Sequence, residues 1–216
     1  MDGHMRQLRS VDGHSFDPTL LVPGGWVLDI GCRGFAFSQE MVRRDARVVA
    51  VDADPEVSRS PSDAIRLVNA AVVGRRRHAA ESSVLLYRNE DPAATNIFEA
   101  DSSSGVRVST TCIQSVMREH EVDFWEVVKL DCEGAEYEIL EEWPGPVARQ
   151  VTVEFHDLLG RNPEAEPERY YARLMERIGQ WYDVVLHRQT RPPWGGPPTY
   201  WDSLFVLKQG LRPEGH

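Results

Sequence analysis

The segment Trp26-Val27-Leu28-Asp29-Ile30-Gly31-Cys32-Arg33-Gly34 constrains this chain more than any other. A short apolar run of strand length ends at a turn bearing two glycines. A helical pattern follows from Phe35 to Arg44, with Phe37, Met41 and Val42 on one face. A β-branched run, Arg47 to Val51, then ends in Asp52. Strand, glycine turn, helix, strand is the pattern of a parallel sheet covered on both faces. Glycines at such a turn let a ligand approach the backbone, and an acid at the next strand end accepts hydrogen bonds from both hydroxyls of a ribose. An α/β fold is expected, with an adenosine-containing ligand at the carboxyl ends of its strands.

The rhythm continues along the chain. Pro55 suits the first turn of a short helix, and Ile65 to Val73 is a third apolar run. Val84–Tyr87 and Val106–Thr111 read as strands of a β insertion near 80–111, with a polar loop between them. Cys112–Glu119, Ala135–Trp143 and Pro167–Ile178 read as helices; Val127–Asp131, Gln150–Phe155, Tyr182–Leu186 and Ser203–Lys208 read as strands. The 216 residues suit one domain over 25–210, with a polar arm over 1–24 and a tail over 211–216. Lys plus Arg number 24 against 34 Asp plus Glu, a net charge of −10, which argues against nucleic acid and anionic membrane surfaces as partners. No apolar run has the roughly 18 residues of a membrane helix. The three cysteines form no metal or redox motif, and the first ten residues lack an apolar core, so a reduced, cytoplasmic setting is expected.

A nicotinamide site would need Gly-x-Gly-x-x-Gly to seat a pyrophosphate on the helix N-terminus. Here Cys32 and Arg33 stand between Gly31 and Gly34. The carboxylate of Asp29 would repel a pyrophosphate but suits the ammonium of an amino acid, directly or through water. Adenosine joined to a cationic amino acid describes S-adenosylmethionine. The second dense constellation is Lys129-Leu130-Asp131-Cys132-Glu133-Gly134-Ala135-Glu136. Acids in the first turn of a helix complement its dipole, which accounts for Glu136 and Glu138. Asp131 and Glu133 read equally as capping residues and as catalytic groups facing the same crevice as Asp29.

These two blocks, with Val49-Ala50-Val51-Asp52-Ala53-Asp54-Pro55, Val68-Asn69-Ala70-Ala71-Val72 and Trp201-Asp202-Ser203-Leu204-Phe205-Val206, resemble the FkbM family of S-adenosylmethionine-dependent methyltransferases. The resemblance implies the Rossmann-like class I methyltransferase fold: a seven-stranded, mostly parallel sheet with an antiparallel last strand and helices on both faces. It implies methyl transfer to an oxygen of a sugar or natural-product hydroxyl. It places Asp29, Gly31 and Gly34 at the cofactor turn, Asp52 and the adjacent Ala53 at the ribose, Ala70 or Ala71 near the adenine, and Asp131 beside the cofactor. Arg33 departs from the residue usual in the family and is expected on the cofactor carboxylate or in solvent.

Methyl transfer from a sulfonium is an in-line displacement that needs alignment and exclusion of water. An alcohol is a poor nucleophile near neutral pH, so a base or a metal should assist. In Glu154-Phe155-His156-Asp157, Glu154 and His156 alternate by two and share a strand face. Two readings stand. In one, His156 is the general base, with Asp131 and Glu133 beside it. In the other, Asp131 with Glu154, His156 or Asp157 holds Mg²⁺ or another divalent ion. Arg75–His78 reads as a solvated loop, and Tyr170 and Tyr171 as core or rim. Thr95-Asn96 and the loop with Trp194, Gly195, Gly196 and Tyr200 are candidates to line the acceptor site. The expected partner is a small-molecule or glycan acceptor, and a homodimer is compatible with the chain. The alternatives are an N-methyltransferase and a non-catalytic cofactor-binding module.

Overall fold

The computed structural model describes residues 7–87, 97, 105–156, 167–190 and 200–211. In chain order the elements are β1 (Arg9–Val11), β2 (His14–Phe16), β3 (Trp26–Ile30), α1 (Ala36–Arg43), β4 (Arg47–Asp52), β5 (Ile65–Asn69), β6 (Ala71–Val72), α2 (Arg75–Ala80), β7 (Ser83–Tyr87), β8 (Gly105–Thr111), α3 (Ile113–His120), β9 (Trp125–Leu130), α4 (Glu136–Glu141), β10 (Ala148–His156), α5 (Pro167–Ile178), β11 (Tyr182–Thr190) and β12 (Tyr200–Leu207).

Seven strands pair in the order β5-β4-β3-β9-β10-β12-β11. β12 runs antiparallel to both of its neighbours, and the other pairings are parallel. The sheet is the expected one. Its central strands are unbroken apolar runs because both faces are covered. On one face Leu28, Val49, Val128 and Val151 pack with Ile113 and Val116 of α3, Ile139 and Leu140 of α4, and Leu174 and Ile178 of α5. On the other, Val27, Val48, Ala50 and Val127 pack with Phe37 and Met41 of α1 and with Phe16 of β2.

Among the described residues that second face is covered by α1 and by the N-terminal segment. Residues 9–16, expected as part of a polar arm, form a hairpin whose His14, Ser15 and Phe16 are buried. Its turn carries positive φ at both central residues, 50° at Asp12 and 82° at Gly13, the geometry that matches the twist of a tight hairpin.

Two local expectations are corrected. No helix forms at Pro55. Asp52 Oδ1 accepts from the Asp54 N–H at 2.9 Å and Asp54 Oδ1 from the Glu56 N–H at 3.0 Å, and these side-chain bonds hold the segment in turns. The third apolar run divides at Ala70. β5 ends the main sheet, whereas β6 joins the β7–β8 hairpin in a three-stranded sheet. No helix among the described residues is long and apolar enough to cross a membrane.

Candidate active site

Strand register sets the site. Asp29, Lys129 and Thr152 stand in one row across β3, β9 and β10. Two residues further along each strand come Gly31, Asp131 and Glu154, with Glu154 opposite Asp202 of β12. β3 has β4 on one side and β9 on the other, so the connections diverge there. A crevice of about 540 Å³ opens at these carboxyl ends, where open α/β sheets bind ligands.

Gly31, Arg33, Gly34, Asp52, Ala53 and Ala70 all line one half of the crevice. Gly31 has a φ of +75°, and a Cβ there would overlap the Asp131 carbonyl oxygen. Its N–H donates to Val51 O at 2.9 Å, so the turn is wedged between the ends of β4 and β9. At Gly34 a Cβ would meet nothing within 4 Å, which leaves open space on the crevice wall. The Ala70 N–H donates to Asp52 O at 3.1 Å and ties the two loops together. Burial pushes the Asp52 carboxyl above its ordinary range, against the hydrogen bond from Asp54. Arg33 Nη1 lies 3.7 Å from Asp54 Oδ2 at the rim.

Asp29 does not line this crevice. It is 0 % exposed, and its carboxylate is taken up inside the protein. Ser38 Oγ donates to Oδ2 at 2.6 Å, and the Lys129 ammonium stands 3.2 Å from Oδ1. In the structure the carboxylate expected to meet a ligand ammonium is engaged in this internal ion pair. Lys129 also donates to Gly31 O at 2.8 Å and stands 3.4 Å from Asp131 Oδ2. It thereby fastens the glycine turn to β9. Burial pulls the ammonium's pKa down, but Asp29 and Asp131 outweigh this and hold it above the ordinary lysine value. Burial likewise pushes Asp131 up, and Lys129 and His14 prevail, holding it well below the usual carboxylate range.

His156 is also placed differently from the general-base reading. It is 8 % exposed and does not line the crevice. Nδ1 lies 3.0 Å from Glu136 Oε1, and Nε2 lies 3.3 Å from both Glu133 Oε1 and Glu154 Oε1. Burial lowers its pKa, but the Glu136 charge and the three carboxylate hydrogen bonds raise it well above the ordinary histidine value. Both ring nitrogens are thus taken up by carboxylates and not turned to the crevice. Glu136 does more than the helix-dipole reading allows. It accepts from the Cys132 and Gly134 N–H groups, each at 2.8 Å, and pairs with His156.

The other half of the crevice is lined by Asp12, Gly13, Asp131, Glu133, Glu154, Arg188 and Asp202. Glu133 adopts a φ of 54°, an uncommon state for a non-glycine residue and one that recurs at functional turns. Arg188 places Nε at 3.2 Å and Nη2 at 3.0 Å from Asp202 Oδ2. His14, which the sequence reading passed over, reaches in from β2: Nε2 is 3.3 Å from Asp131 Oδ2 and Nδ1 is 3.4 Å from Thr152 Oγ1. The donor atoms of His14, Asp131 and Glu154 lie within 4.8 Å of one another, as do those of Asp131, Glu133 and His156. Asp157, Thr95-Asn96 and Trp194, Gly195 and Gly196 lie outside the described residues, as do the side chains of Tyr170 and Tyr200. Tyr171 stacks on His187 and Trp201, with centroids 5.5 and 6.0 Å away.

Among solved structures, the chain is similar to a fibrillarin pre-rRNA processing protein from Methanococcus jannaschii at 9 % identity, covering 96 % of this chain and 86 % of that one, with a TM-score of 0.48. It is similar to a 16S rRNA (adenine(1408)-N(1))-methyltransferase from Catenulisporales acidiphilia at 15 % identity, 91 % and 94 % coverage and a TM-score of 0.42. It is also similar to the 1,6-didemethyltoxoflavin-N1-methyltransferase of Burkholderia thailandensis, solved with S-adenosylhomocysteine, at 14 % identity, 87 % and 72 % coverage and a TM-score of 0.40. At these values the likenesses carry no argument about what this chain does. No curated protein matches it. The model of the methyltransferase FkbM domain matches residues 32–184, well over half of the chain, and the protein belongs to that family of S-adenosylmethionine-dependent methyltransferases.

Proposed function

We propose that this enzyme methylates a hydroxyl oxygen of a neutral sugar or natural product bound in the Asp12–Glu154–Asp202 half of the crevice. One observation carries the choice of oxygen: that half is walled by five carboxylates, Asp12, Asp131, Glu133, Glu154 and Asp202, with Arg188 the cation among the lining residues there. An amine in such surroundings is held as an ammonium ion, which has no lone pair for attack. A hydroxyl keeps its lone pairs and finds acceptors for its hydrogen. A phosphorylated or carboxylated acceptor would meet like charge.

In this reading Asp52 holds the ribose hydroxyls, Ala53 and Ala70 border the adenine, and Arg33 meets the cofactor carboxylate. Gly31 and Gly34 give the amino-acid portion room against the backbone. The sulfonium then faces Asp131. The acceptor oxygen attacks the methyl carbon as the carbon–sulfur bond breaks, with S-adenosylhomocysteine as the leaving group. Asp131 accepts a hydrogen bond from the attacking hydroxyl and orients it. Because Asp131 is a weak base, the proton departs late, through the carboxylates to solvent.

A divalent ion is a second reading, carried by the spacing of His14, Asp131 and Glu154. One imidazole nitrogen and two carboxylates suit Mg²⁺ or Mn²⁺, which would lower the pKa of the acceptor hydroxyl. The set of Asp131, Glu133 and His156 meets the same spacing, and in both sets the imidazole is engaged on both nitrogens. Transfer that persists after dialysis against a chelator removes this second reading.

The test of the proposal is to incubate the protein with [methyl-¹³C]S-adenosylmethionine and matched neutral, phosphorylated and amino sugars. O-methyl carbon resonances on neutral acceptors are expected. N-methyl product alone would overturn the choice of oxygen. Cofactor binding with no transfer to any acceptor class would favour a non-catalytic module.

A further inference from the structure

The N-terminal hairpin is built into the sheet at the place where methyl transfer is proposed. Gln150 Oε1 accepts from the Asp17 N–H at 2.7 Å, and Gln150 Nε2 donates to Asp17 O at 3.1 Å. Two residues along β10, Thr152 stands against His14. Phe16 is fully buried and Phe37 meets the His14 ring edge-on, with centroids 6.2 Å apart. His14 is 1 % exposed. A buried imidazole is costly unless both nitrogens are satisfied. In the tautomer that carries its hydrogen on Nε2, Thr152 donates to Nδ1 and Nε2 donates to Asp131 Oδ2.

That same oxygen faces Lys129 Nζ. Two donors from different sides therefore hold Asp131 Oδ2, and Oδ1 is the carboxylate oxygen that takes no hydrogen bond among the described residues. Lys129 is anchored independently by Asp29 and by the Ile30 and Gly31 carbonyls. His14 is thus the contact that fixes the carboxylate from the acceptor side.

Resting on the methyltransferase reading above, we infer that His14 is a positioning residue: it sets the direction in which Asp131 presents Oδ1 to the transferring methyl group and the acceptor hydroxyl. The hairpin is then a working part of the reaction centre. Its Asp12-Gly13 turn forms the adjoining wall, since a Cβ at Gly13 would stand 3.7 Å from Glu154 Oε2.

The experiment uses the full chain with [methyl-¹³C]S-adenosylmethionine, in buffer with a chelator so that no metal enters through His14. The proton and carbon shifts of the bound methyl group report its oxygen neighbours. His14→Ala and His14→Leu remove the donor, the second while filling the space. His14→Gln keeps a donor. In whichever donor-less variant folds, cofactor affinity should stay within about threefold of wild type, while the methyl resonance moves. In His14→Gln the resonance should stay with wild type. A resonance unmoved by loss of the donor overturns the inference, and so does one that moves equally in His14→Gln, since that marks a merely structural effect. Failure of the wild-type chain to bind the cofactor overturns the methyltransferase reading itself, and the inference with it.

Discussion

Lys129 and His156 are two buried cations on neighbouring strands, and they are matched differently. Lys129 faces two carboxylates, Asp29 and Asp131, and two backbone carbonyls. Its charge is balanced within a frame that joins β3 to β9. His156 faces three carboxylates, Glu133, Glu136 and Glu154, drawn from the loop after β9, from α4 and from its own strand. One imidazolium cannot balance three acids. The excess negative charge reaches the crevice through Glu133 and Glu154. The first cluster is built to hold the glycine turn still, and the second to leave the acceptor half acidic.

The largest effect should come from breaking the balanced cluster. Lys129→Met leaves Asp29 and Asp131 without their cation and should cost about 3–5 kcal/mol in denaturant unfolding. Next comes Asp52→Ala, which should spare folding but weaken S-adenosylhomocysteine binding by about ten- to a hundredfold in calorimetry, the worth of charge-assisted hydrogen bonds to a ribose.

The second cluster is distinguished by pH. The folded-state pKa of His156 is raised well above 6.5. Above pH 6.5 the folded protein therefore retains a proton that the unfolded chain has released. This contribution is fully present below about pH 6.5 and is lost as pH rises through the raised value. Wild-type stability should accordingly fall on the alkaline side with a slope that His156→Gln lacks. At pH 6 that variant should lose about 1–3 kcal/mol. The smallest effect belongs to an ion pair outside both clusters whose cation is exposed. Arg76 lies 4.0 Å from Glu142, and Arg76→Ala should change stability by no more than about 0.5 kcal/mol.

The sheet was legible in the sequence because each parallel strand is a bounded apolar run, and the glycine turn because only glycine can sit at Gly31 against the end of β9. The ion pairs were not legible. Asp29 meets Lys129 only through the register of β3 with β9, and helix-dipole logic explains Glu136 capping its own loop but not its bond to His156, which arrives from β10. Strand-end position alone pointed both Asp29 and His156 at the crevice, whereas the nearest opposite charge turned each of them inward. His14 was within reach of the sequence. Val11-Asp12-Gly13-His14 carries the Asp-Gly signal of a tight hairpin, masked by the polar composition around it. The break at Ala70 had no local marker, since alanine and valine suit either sheet.

The most direct test of the account is a crystal structure of the protein with S-adenosylhomocysteine. It should show the ribose on Asp52, the homocysteine portion against Gly31 and Gly34, and the sulfur facing Asp131. A ligand seated elsewhere, or a sulfur turned away from Asp131, would contradict it.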